Sequence, residues 1–550
     1  MREEDKFSGS LVSMVGKYSR FRFLGDAFVV GWSQLFYDWT VSYSQLAPLG
    51  VDKQVIVING MFPGPVLYAS TNDVVNVSIH NNLREPFLMT WNGVQMRKDS
   101  WQDGVQETNC PILPGQNWTY SFQLKDQIGS FFYFPSLLLH KAAGGYGAIH
   151  LNNLPIIPIP FPQPYKDYAV LIGDWFNADY RDLRASLENG VFLPHPDGIL
   201  INGLGPNQAR FEFEPSATYR LRISNVGLKT SLNFRIEGHP MLLVETEGSY
   251  LIQQYYDSLD IHVGQSYSVL VTAKNQANGK SYYMVASSRF TILEHSGIGV
   301  IHYPDSAGDP VGPLPLGPGL SKYNFSIEQA RSMRWDLIAS AARPNPQGSY
   351  HYGTIPITRT LILENNVMVI GSKRRFTING ISFMHSDTPL KLLDYFQLNE
   401  ESKYAAAAAL PSSATSIVDA FYRDFFHIVF QNPLLEVQSW HIDGYNFFVV
   451  GMGWGLWDES KKAGYNIVDA VSRSTVQVYP LSWTAILMEL DNIGTWNLRS
   501  QNAENWYLGQ ELYIRVKGVW NWFDEQSDIS ARDEAPIPDN VIKCGRAADL

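Results

Sequence analysis

The sequence predicts an all-β protein built from three related domains, and length, composition and internal repeats lead to this fold class. The 550 residues correspond to three or four domains at ~150 residues each. Aromatic residues make up 13% of the chain and charged residues only 17%, against a usual ~25%, so large cores can form. The 43 Gly and 31 Pro are spread along the whole length, which is typical of short strands joined by tight turns.

Four landmarks recur three times in the same order. The first is an Ile-Asn-Gly tripeptide beside a β-branched run, a turn signal because Asn and Gly tolerate positive φ. An alternating strand that ends near an Asn follows, then a strand closed by a Gly turn, then a Gly that opens an aromatic strand. These landmarks lie at 58–60, 74–82, 90–93 and 129–133; at 201–203, 219–225, 234–238 and 279–283; and at 378–380, 427–432, 440–444 and 494–498.

Proline-rich stretches separate the repeats and set the predicted domain boundaries. Prolines cluster at 155–164 and again at 304–318, and such segments are extended and poor in backbone donors. We therefore place an atypical N-terminal segment at 1–36, domains at 37–160, 161–303 and 341–550, and a proline-rich linker at 304–340. The alanine run 405–409 predicts a short helix inserted into the third domain.

Charge and hydropathy exclude several classes of protein. With 53 acidic and 42 basic residues the net charge is −11, which argues against a nucleic-acid partner. No apolar run reaches the ~20 residues of a transmembrane helix, and the polar C-terminus lacks a lipid-anchor signal. The N-terminus is mixed in charge and is not recognisable as a signal peptide, so taken alone it indicates the cytosol.

The two cysteines, Cys110 and Cys544, leave two interpretations open. In a cytosolic protein they would be buried thiols. In a secreted protein they could join the end of the chain to its first third. Their spacing does not decide between these states.

Several motifs resemble a known family over residues 37–545. The segments that carry the resemblance are Gln54–Pro65, Trp91-Asn92-Gly93, Asp103-Gly104, Gly129–Tyr133, Trp440–Phe447 and Gly494-Thr495-Trp496. They resemble the plant multicopper-oxidase-like proteins, in particular the copper-poor branch of skewed-growth proteins and pollen-specific L-ascorbate oxidase homologues. The resemblance implies three cupredoxin-like Greek-key β-sandwich domains.

Active members of this family resemble one another in four His-x-His motifs, which this chain lacks although it contains 12 His. In a strand, residues two apart share a face, so such a motif presents two imidazoles to one metal cluster, and a Cys thiolate completes a blue-copper site. The resemblance implies that the ligand positions carry Thr90, Asn92, Phe134, Ser136, Gln438, His441, Asp443, Arg499, Ser500, Gln501, Asn505 and Gln510. Only His441 keeps an imidazole. We therefore expect no copper and no other cofactor.

Two interpretations of His441 stand beside each other. It is either a residual single-metal ligand together with Asp443, or an interior histidine held by hydrogen bonds, and we favour the second. Asp443 and Arg499 replace ligands of one cluster, so they should lie close together, and an ion pair would balance their charges. The alternative is that Arg499 binds an anionic or sugar ligand.

The resemblance also implies an extracellular glycoprotein of the apoplast. Sequons at Asn76, Asn117 and Asn324 would then carry sugar, and Cys110 would pair with Cys544. The segment before Tyr37 is not recognisable as a signal peptide, which conflicts with export. We expect either a misassigned first exon or a lost export signal, and we favour the first.

The function expected from these residues is binding without catalysis. The lost ligands predict a catalytically degenerate protein, and the resemblance adds a role in the plant cell wall, in cell expansion or in pollen-tube growth, with wall polysaccharide or a wall protein as partner. One rival is a copper-binding oxidoreductase of the L-ascorbate oxidase class. The other is an enzyme of different chemistry that reuses His441, Asp443 and Arg499.

Overall fold

A computed structural model describes residues 33–275, 279–339, 352–398, 411–518 and 534–550. Residues 1–32, which form most of the atypical N-terminal segment, and the alanine run 405–409 lie outside the described residues. Within them the chain forms three cupredoxin-like Greek-key β-sandwiches, so the predicted fold class is confirmed.

The first sandwich packs the sheet β2-β1-β4-β6 against the sheet β3-β8-β7-β5. Its strands are β1 (Gln34–Leu46), β2 (Lys53–Ile58), β3 (Leu67–Ser70), β4 (Val74–Asn81), β5 (Met89–Asn92), β6 (Asn117–Gln123), β7 (Gly129–Pro135) and β8 (Gly147–Asn152). Short 3₁₀ turns follow β5 and β7 at Ser100–Gln102 and His140–Ala143.

The second sandwich repeats this arrangement with the sheets β10-β9-β12-β17-β14-β15 and β11-β19-β18-β13-β16. Its strands are β9 (Lys166–Trp175), β10 (Gly198–Ile201), β11 (Ala209–Glu212), β12 (Thr218–Asn225), β13 (Leu232–Ile236), β14 (Met241–Thr246), β15 (Ser249–Tyr256), β16 (Ser258–Ile261), β17 (Ser266–Thr272), β18 (Tyr282–Ser288) and β19 (Ser296–His302). Helix α1 (Tyr180–Glu188) follows β9, and helix α2 (Tyr323–Ser332) lies in the predicted linker.

The third sandwich has the sheets β23-β22-β21-β20-β25-β30-β27-β28 and β24-β32-β31-β26-β29. Its strands are β20 (Arg359–Ile370), β21 (Lys373–Ile378), β22 (Ile381–Phe383), β23 (Ser412–Ala414), β24 (Ile417–Phe421), β25 (Phe425–Asn432), β26 (Gln438–Ile442), β27 (Phe447–Trp454), β28 (Ser472–Arg473), β29 (Thr475–Val478), β30 (Ser482–Glu489), β31 (Gly494–Ser500) and β32 (Glu511–Lys517). Helices α3 (Leu390–Tyr395) and α4 (Ala503–Tyr507), and 3₁₀ turns at Tyr352–Thr354, Glu459–Gly464 and Gly545–Ala547, complete the described elements.

One strand order underlies all three domains. In each, the first strand pairs antiparallel with the second and parallel with a later one, as β1 does with β2 and β4, β9 with β10 and β12, and β20 with β21 and β25. The repeats predicted from the sequence are therefore repeats of structure.

The Asn of the Ile-Asn-Gly turn has the same conformation and makes the same hydrogen bond in each domain. Asn59, Asn202 and Asn379 have φ of 52°, 50° and 50°. Each carboxamide oxygen accepts a backbone N–H of the neighbouring first strand, at 2.7, 2.7 and 2.8 Å. Since Asn tolerates positive φ and hydrogen-bonds locally, this residue type closes the hairpin and ties it to the sheet.

The main apolar core joins the first and third domains. Met89 and Trp91 of β5 belong to the same buried cluster as Trp440 of β26 and Trp496 of β31, whereas the second domain has a core of its own. The short strands β5, β7, β26 and β31 therefore meet at the interface between domains 1 and 3, where the candidate site lies.

Cys110 and Cys544 form a disulfide with a Cα–Cα distance of 5.9 Å. It fixes the last residues of the chain to domain 1, so of the two states left open by the spacing the structure has the bridge. Among the described residues, no helix combines the length and the apolarity needed to cross a membrane. The domain boundaries proposed above stay a prediction.

Candidate functional site

Four short strands from two domains bring the predicted site positions together. In domain 1, β5 pairs with β7 and sets Thr90 opposite Phe134. In domain 3, β26 pairs with β31 and sets His441 opposite Arg499. The two domains are linked directly, because Gln501 Nε2 donates to Asn92 Oδ1 at 2.5 Å.

A charged network, consisting of Asp103, His441, Asp443 and Arg499, occupies the middle of this interface. His441 Nε2 donates to Asp443 Oδ1 at 2.9 Å, and Thr475 Oγ1 lies 2.8 Å from His441 Nδ1. Arg499 Nη1 donates to the other oxygen of Asp443 and, at 3.1 Å, to Asn497 Oδ1. All members are buried. The expected ion pair between Asp443 and Arg499 is confirmed.

The electrostatics of the charged network give it a balanced charge. Burial raises the pKa of Asp443, but the Arg499 charge and the His441 hydrogen bond outweigh it and hold that pKa at about 2. Burial lowers the pKa of His441, which is therefore neutral at pH 7. Burial, reinforced by the charge of Asp443, raises the pKa of Asp103 well above its usual range. One carboxylate thus faces one guanidinium, as burial requires.

Asp103 is a member that sequence reasoning did not single out, although it belongs to the Asp103-Gly104 segment of the resemblance. Gly104 has φ of +72°, and a Cβ there would lie 1.7 Å from the carbonyl oxygen of Met89. This glycine lets the loop lie directly against β5. Ser136 Oγ donates to the Gly104 carbonyl at 2.6 Å, which ties the end of β7 to the same loop.

An amide cluster of Gln438, Asn505 and Gln510 lies next to the charged network in domain 3. Asn505 Nδ2 donates to Gln438 Oε1 at 3.2 Å and to Gln510 Oε1 at 3.0 Å. The amide nitrogens of Gln438 and Gln510 have no hydrogen-bond partner within the described part of the chain. Ser500 accepts the backbone N–H of Asn502 at 3.3 Å. The cluster is neutral throughout.

Phe134 and a buried lysine close the domain 1 side. Phe134 packs in an apolar cluster with Phe132 and Tyr146, and Lys141 Nζ lies 4.3 Å above the Phe134 ring. Burial lowers the pKa of Lys141 to about 7, and the Arg499 charge adds to this effect. On the other side, the Arg499 guanidinium lies 4.7 Å above the Trp506 ring. Nothing in the sequence around Lys141 marks it as part of the site.

A histidine on the edge of the same interface also bridges the two domains. His385 of domain 3 contacts Glu107 of domain 1 at 3.0 Å through Nδ1 and Glu511 at 3.2 Å through Nε2. Burial alone lowers the pKa of His385, but the carboxylates of Glu511 and Glu107 outweigh it and raise that pKa to about 10. We call this contact the His385 clasp.

The residues that the resemblance places at copper-ligand positions do not have the chemistry of a copper cluster. Copper takes imidazole and thiolate ligands. Here the one imidazole uses both ring nitrogens in hydrogen bonds, a guanidinium stands beside it, and a hydroxyl occupies position 500. Over the described ranges, no three His, Cys, Asp or Glu side chains are grouped so as to hold a metal ion.

The sequons differ in exposure. Asn117 and Asn324 are exposed. Asn76 is half-buried in β4, where Nδ2 donates to the Leu35 carbonyl at 3.3 Å and Oδ1 accepts from Ser121 Oγ at 2.8 Å. Both polar atoms of the Asn76 amide therefore already make hydrogen bonds within the protein.

Multicopper oxidase family models match residues 40–155, 166–306 and 387–519. This chain belongs to the multicopper oxidase family. It is 48% identical to an L-ascorbate oxidase homolog from Nicotiana tabacum, over 93% of each chain. It is 49% identical to the monocopper oxidase-like protein SKU5 from Arabidopsis thaliana, over 94% of this chain and 90% of that protein. The resemblance to this plant branch is confirmed.

The fold is also that of solved multicopper oxidases. A crystal structure of Fet3p, a multicopper oxidase that functions in iron import, superposes with a TM-score of 0.75 at 19% identity. The match covers 88% of this chain and 90% of that one. At this level of identity the likeness concerns the fold alone.

Proposed function

We propose that this protein is a catalytically degenerate member of the multicopper oxidase family that acts outside the cell by binding. Its setting would be the plant cell wall, during cell expansion or pollen-tube growth, with wall polysaccharide or a wall protein as partner. The observation that carries the proposal is the ion pair of Asp443 with Arg499 beside a doubly hydrogen-bonded His441.

A positive charge at this place opposes metal binding in two ways. The Arg499 guanidinium repels a cation, and it occupies the carboxylate that would have to act as a ligand. Releasing Asp443 for a metal would leave Arg499 buried without its partner, which costs about 3–5 kcal/mol. Ser500 adds to this, because a hydroxyl supplies no thiolate for a blue-copper site.

Export is supported by two features of the fold. The disulfide of Cys110 and Cys544 is typical of proteins that mature in oxidising compartments. Asn117 and Asn324 are exposed and could accept sugar, whereas the engaged amide of Asn76 is a poor acceptor.

The rival function is a copper-binding oxidoreductase of the L-ascorbate oxidase class. The observation that favours it is the contact of His441 with Asp443, which are two potential ligands of a single metal. The chain is 27% identical to an L-ascorbate oxidase from Cucurbita maxima over 93% of each chain.

The experiment that separates the two functions is a copper-loading assay. The purified full chain is incubated with Cu(II), desalted and analysed for copper, and its visible spectrum is recorded. We expect well under one copper per chain and no visible Cu(II)–thiolate absorption. Stoichiometric copper that the variant His441→Ala loses would overturn the proposal, and oxygen consumption with ascorbate by the loaded chain would establish the rival.

A gain-of-site variant serves as the positive control. The triple substitution Arg499→His, Ser500→Cys and Gln501→His restores the family's donor types at the end of β31 and directly after it, and we expect it to take up more copper than the natural chain. If the natural chain takes up as much, the reasoning from the donor set is wrong.

A further inference from the structure

A surface groove of about 640 Å³ lies between the linker and domain 3, and it shares no lining residue with the charged network or the amide cluster. One wall is β27 from Val449 to Trp454, and the other is the end of α2 with Arg331 and the segment after it with Arg334. The turn Glu459–Gly464 and Trp483 complete the lining. Its volume falls within the ~300–1,000 Å³ of typical ligand pockets.

The floor of the groove presents a buried hydrogen-bond donor. Trp483 is only 5% exposed, and its indole Nε1 has no hydrogen-bond partner among the described residues. Two glycines of β27 make room for the ring, because a Cβ on Gly453 would lie 2.7 Å from Trp483 Cζ2. Buried donors are nearly always paired with a protein group or with water. Because Trp483 lines the groove, the oxygen of a ligand bound there would supply a partner for this N–H.

The lining carries positive charge in a chain whose net charge is −11. It includes Arg331, Arg334 and Lys461 and no Asp or Glu. Arg334 pairs with Asp469 at 3.2 Å, and Lys461 is 3.7 Å from Asp458. Arg331 donates to the Met452 carbonyl at 2.5 Å and makes no ion pair with any described residue, so its charge is available to an anion.

An exposed aromatic ring stands at the rim. Trp454 is 45% exposed at the end of β27 and also lines the groove. Such a ring offers a flat apolar face to C–H groups. A ligand that suits the groove therefore combines an apolar face, hydroxyl oxygens and carboxylates, and this combination is the chemistry of a sugar acid.

We propose that this groove binds an acidic oligosaccharide built from uronic acid units. Trp454 stacks on a sugar ring, Trp483 donates its indole N–H to a sugar oxygen, and Arg331 and Lys461 contact carboxylates. This proposal rests on the binding role proposed above and supplies its ligand class.

The test is a calorimetric titration of the full chain with oligogalacturonate. We expect binding that weakens with added salt, because charged contacts are screened. Methyl-esterified oligogalacturonate, which keeps the rings and removes the charge, should bind at least about tenfold more weakly. Equal binding of the ester would overturn the role of Arg331 and Lys461.

Single variants locate the site. Lys461→Gln and Trp454→Ala should each weaken binding about tenfold, and Trp483→Phe, which keeps an aromatic ring but removes the N–H donor and part of the indole, about threefold to tenfold. The matched surface controls are Lys373→Gln and Phe421→Ala, which lie outside the groove and should leave affinity unchanged. Oligogalacturonate binding that these groove variants do not weaken would place the ligand elsewhere and overturn the proposal.

Two further outcomes show which part of the proposal is wrong. If polyglutamate binds as tightly and with the same variant pattern, the groove recognises an acidic peptide and the sugar assignment is wrong. If oligogalacturonate does not bind at all, the groove proposal fails while the copper-loading assay still decides the proposed function on its own.

Discussion

The charged network and the amide cluster occupy adjoining parts of domain 3, yet they fill the space between the strands in opposite ways. The charged network holds one carboxylate, one guanidinium and a neutral imidazole, together with Asp103 from domain 1. The amide cluster holds three neutral carboxamides, all from domain 3. The comparison teaches that an ionised carboxylate brought into the domain interface needs a permanent cation, whereas amides need no counter-charge and here pair only in part.

The two regions should therefore differ in how they tolerate change. Two amide nitrogens of the cluster have no partner among the residues that the structure describes, a cost of about 1–3 kcal/mol for each group. An unpaired buried charge costs more, so the charged network depends on all its members together. The following predictions run from the largest expected effect to the smallest.

Removing the cation should be the most damaging change. Arg499→Met leaves Asp443 buried with its His441 hydrogen bond but without a counter-charge, so the free energy of unfolding should fall by about 3–5 kcal/mol in a denaturant titration. The matched control is Arg423→Met, which breaks a pair with Glu489 where Arg423 is 60% exposed, and it should cost less than about 1 kcal/mol. Equal losses would show that the charged network is not an electrostatic unit.

A double variant sharpens this prediction. Combining Arg499→Met with Asp443→Leu removes both charges, and it should recover most of the stability lost by the single variant. The loss of stability in the double variant is compared with the sum of the losses in Arg499→Met and Asp443→Leu. If the double variant loses as much as this sum, packing rather than charge holds the region together.

A substitution in the amide cluster should reduce the free energy of unfolding by less than Arg499→Met does. Asn505→Ala removes the donor of two hydrogen bonds and leaves the oxygens of Gln438 and Gln510 without it, so the expected loss is about 1–3 kcal/mol in the same titration. Gln208→Ala is the exposed control and should stay within about 0.5 kcal/mol of the natural chain. A loss as large as that of Arg499→Met would remove the distinction between the two regions.

The smallest effect is a pH dependence at the His385 clasp. The pKa of His385 rises from 6.5 to about 10 on folding, so its stabilisation is complete below pH 6.5 and disappears as the pH rises through 10. The side chain is 36% exposed, which limits the size of the effect. Unfolding titrations of the natural chain and of His385→Gln should differ most below pH 6.5 and converge towards pH 10. A constant difference would mean that His385 acts by packing.

Much of the fold could be predicted from the sequence because its signals are local. The Ile-Asn-Gly turns need only positive φ and a nearby backbone N–H, so Asn59, Asn202 and Asn379 mark the same hairpin in each domain. The pairing of Asp443 with Arg499 followed from their two positions in one family pattern. The resemblance also implied the bridge between Cys110 and Cys544, which spacing alone left open.

Other members of the site lie beyond the reach of local signals. Asp103, Lys141 and Glu107 come from loops of domain 1 whose sequence gives no sign of what they face across the interface. Their significance depends on burial, which raises the pKa of Asp103 and lowers that of Lys141 to about 7. The groove could not be predicted from the sequence either, because its walls α2 and β27 are more than a hundred residues apart along the chain.

The sequence by itself determined three β-sandwiches, their turns and the absence of the family's histidine pairs, because strand periodicity, turn chemistry and residue identity are written along the chain. Only the tertiary structure decided how the side chains at the interface of domains 1 and 3 pair with one another. Hydrogen bonds and charge compensation depend on distances between side chains from different domains, and desolvation depends on everything packed around them. For this reason the balanced charge of Asp443 and Arg499, the clasp of His385 and the burial of the Trp483 indole emerge only in the folded molecule.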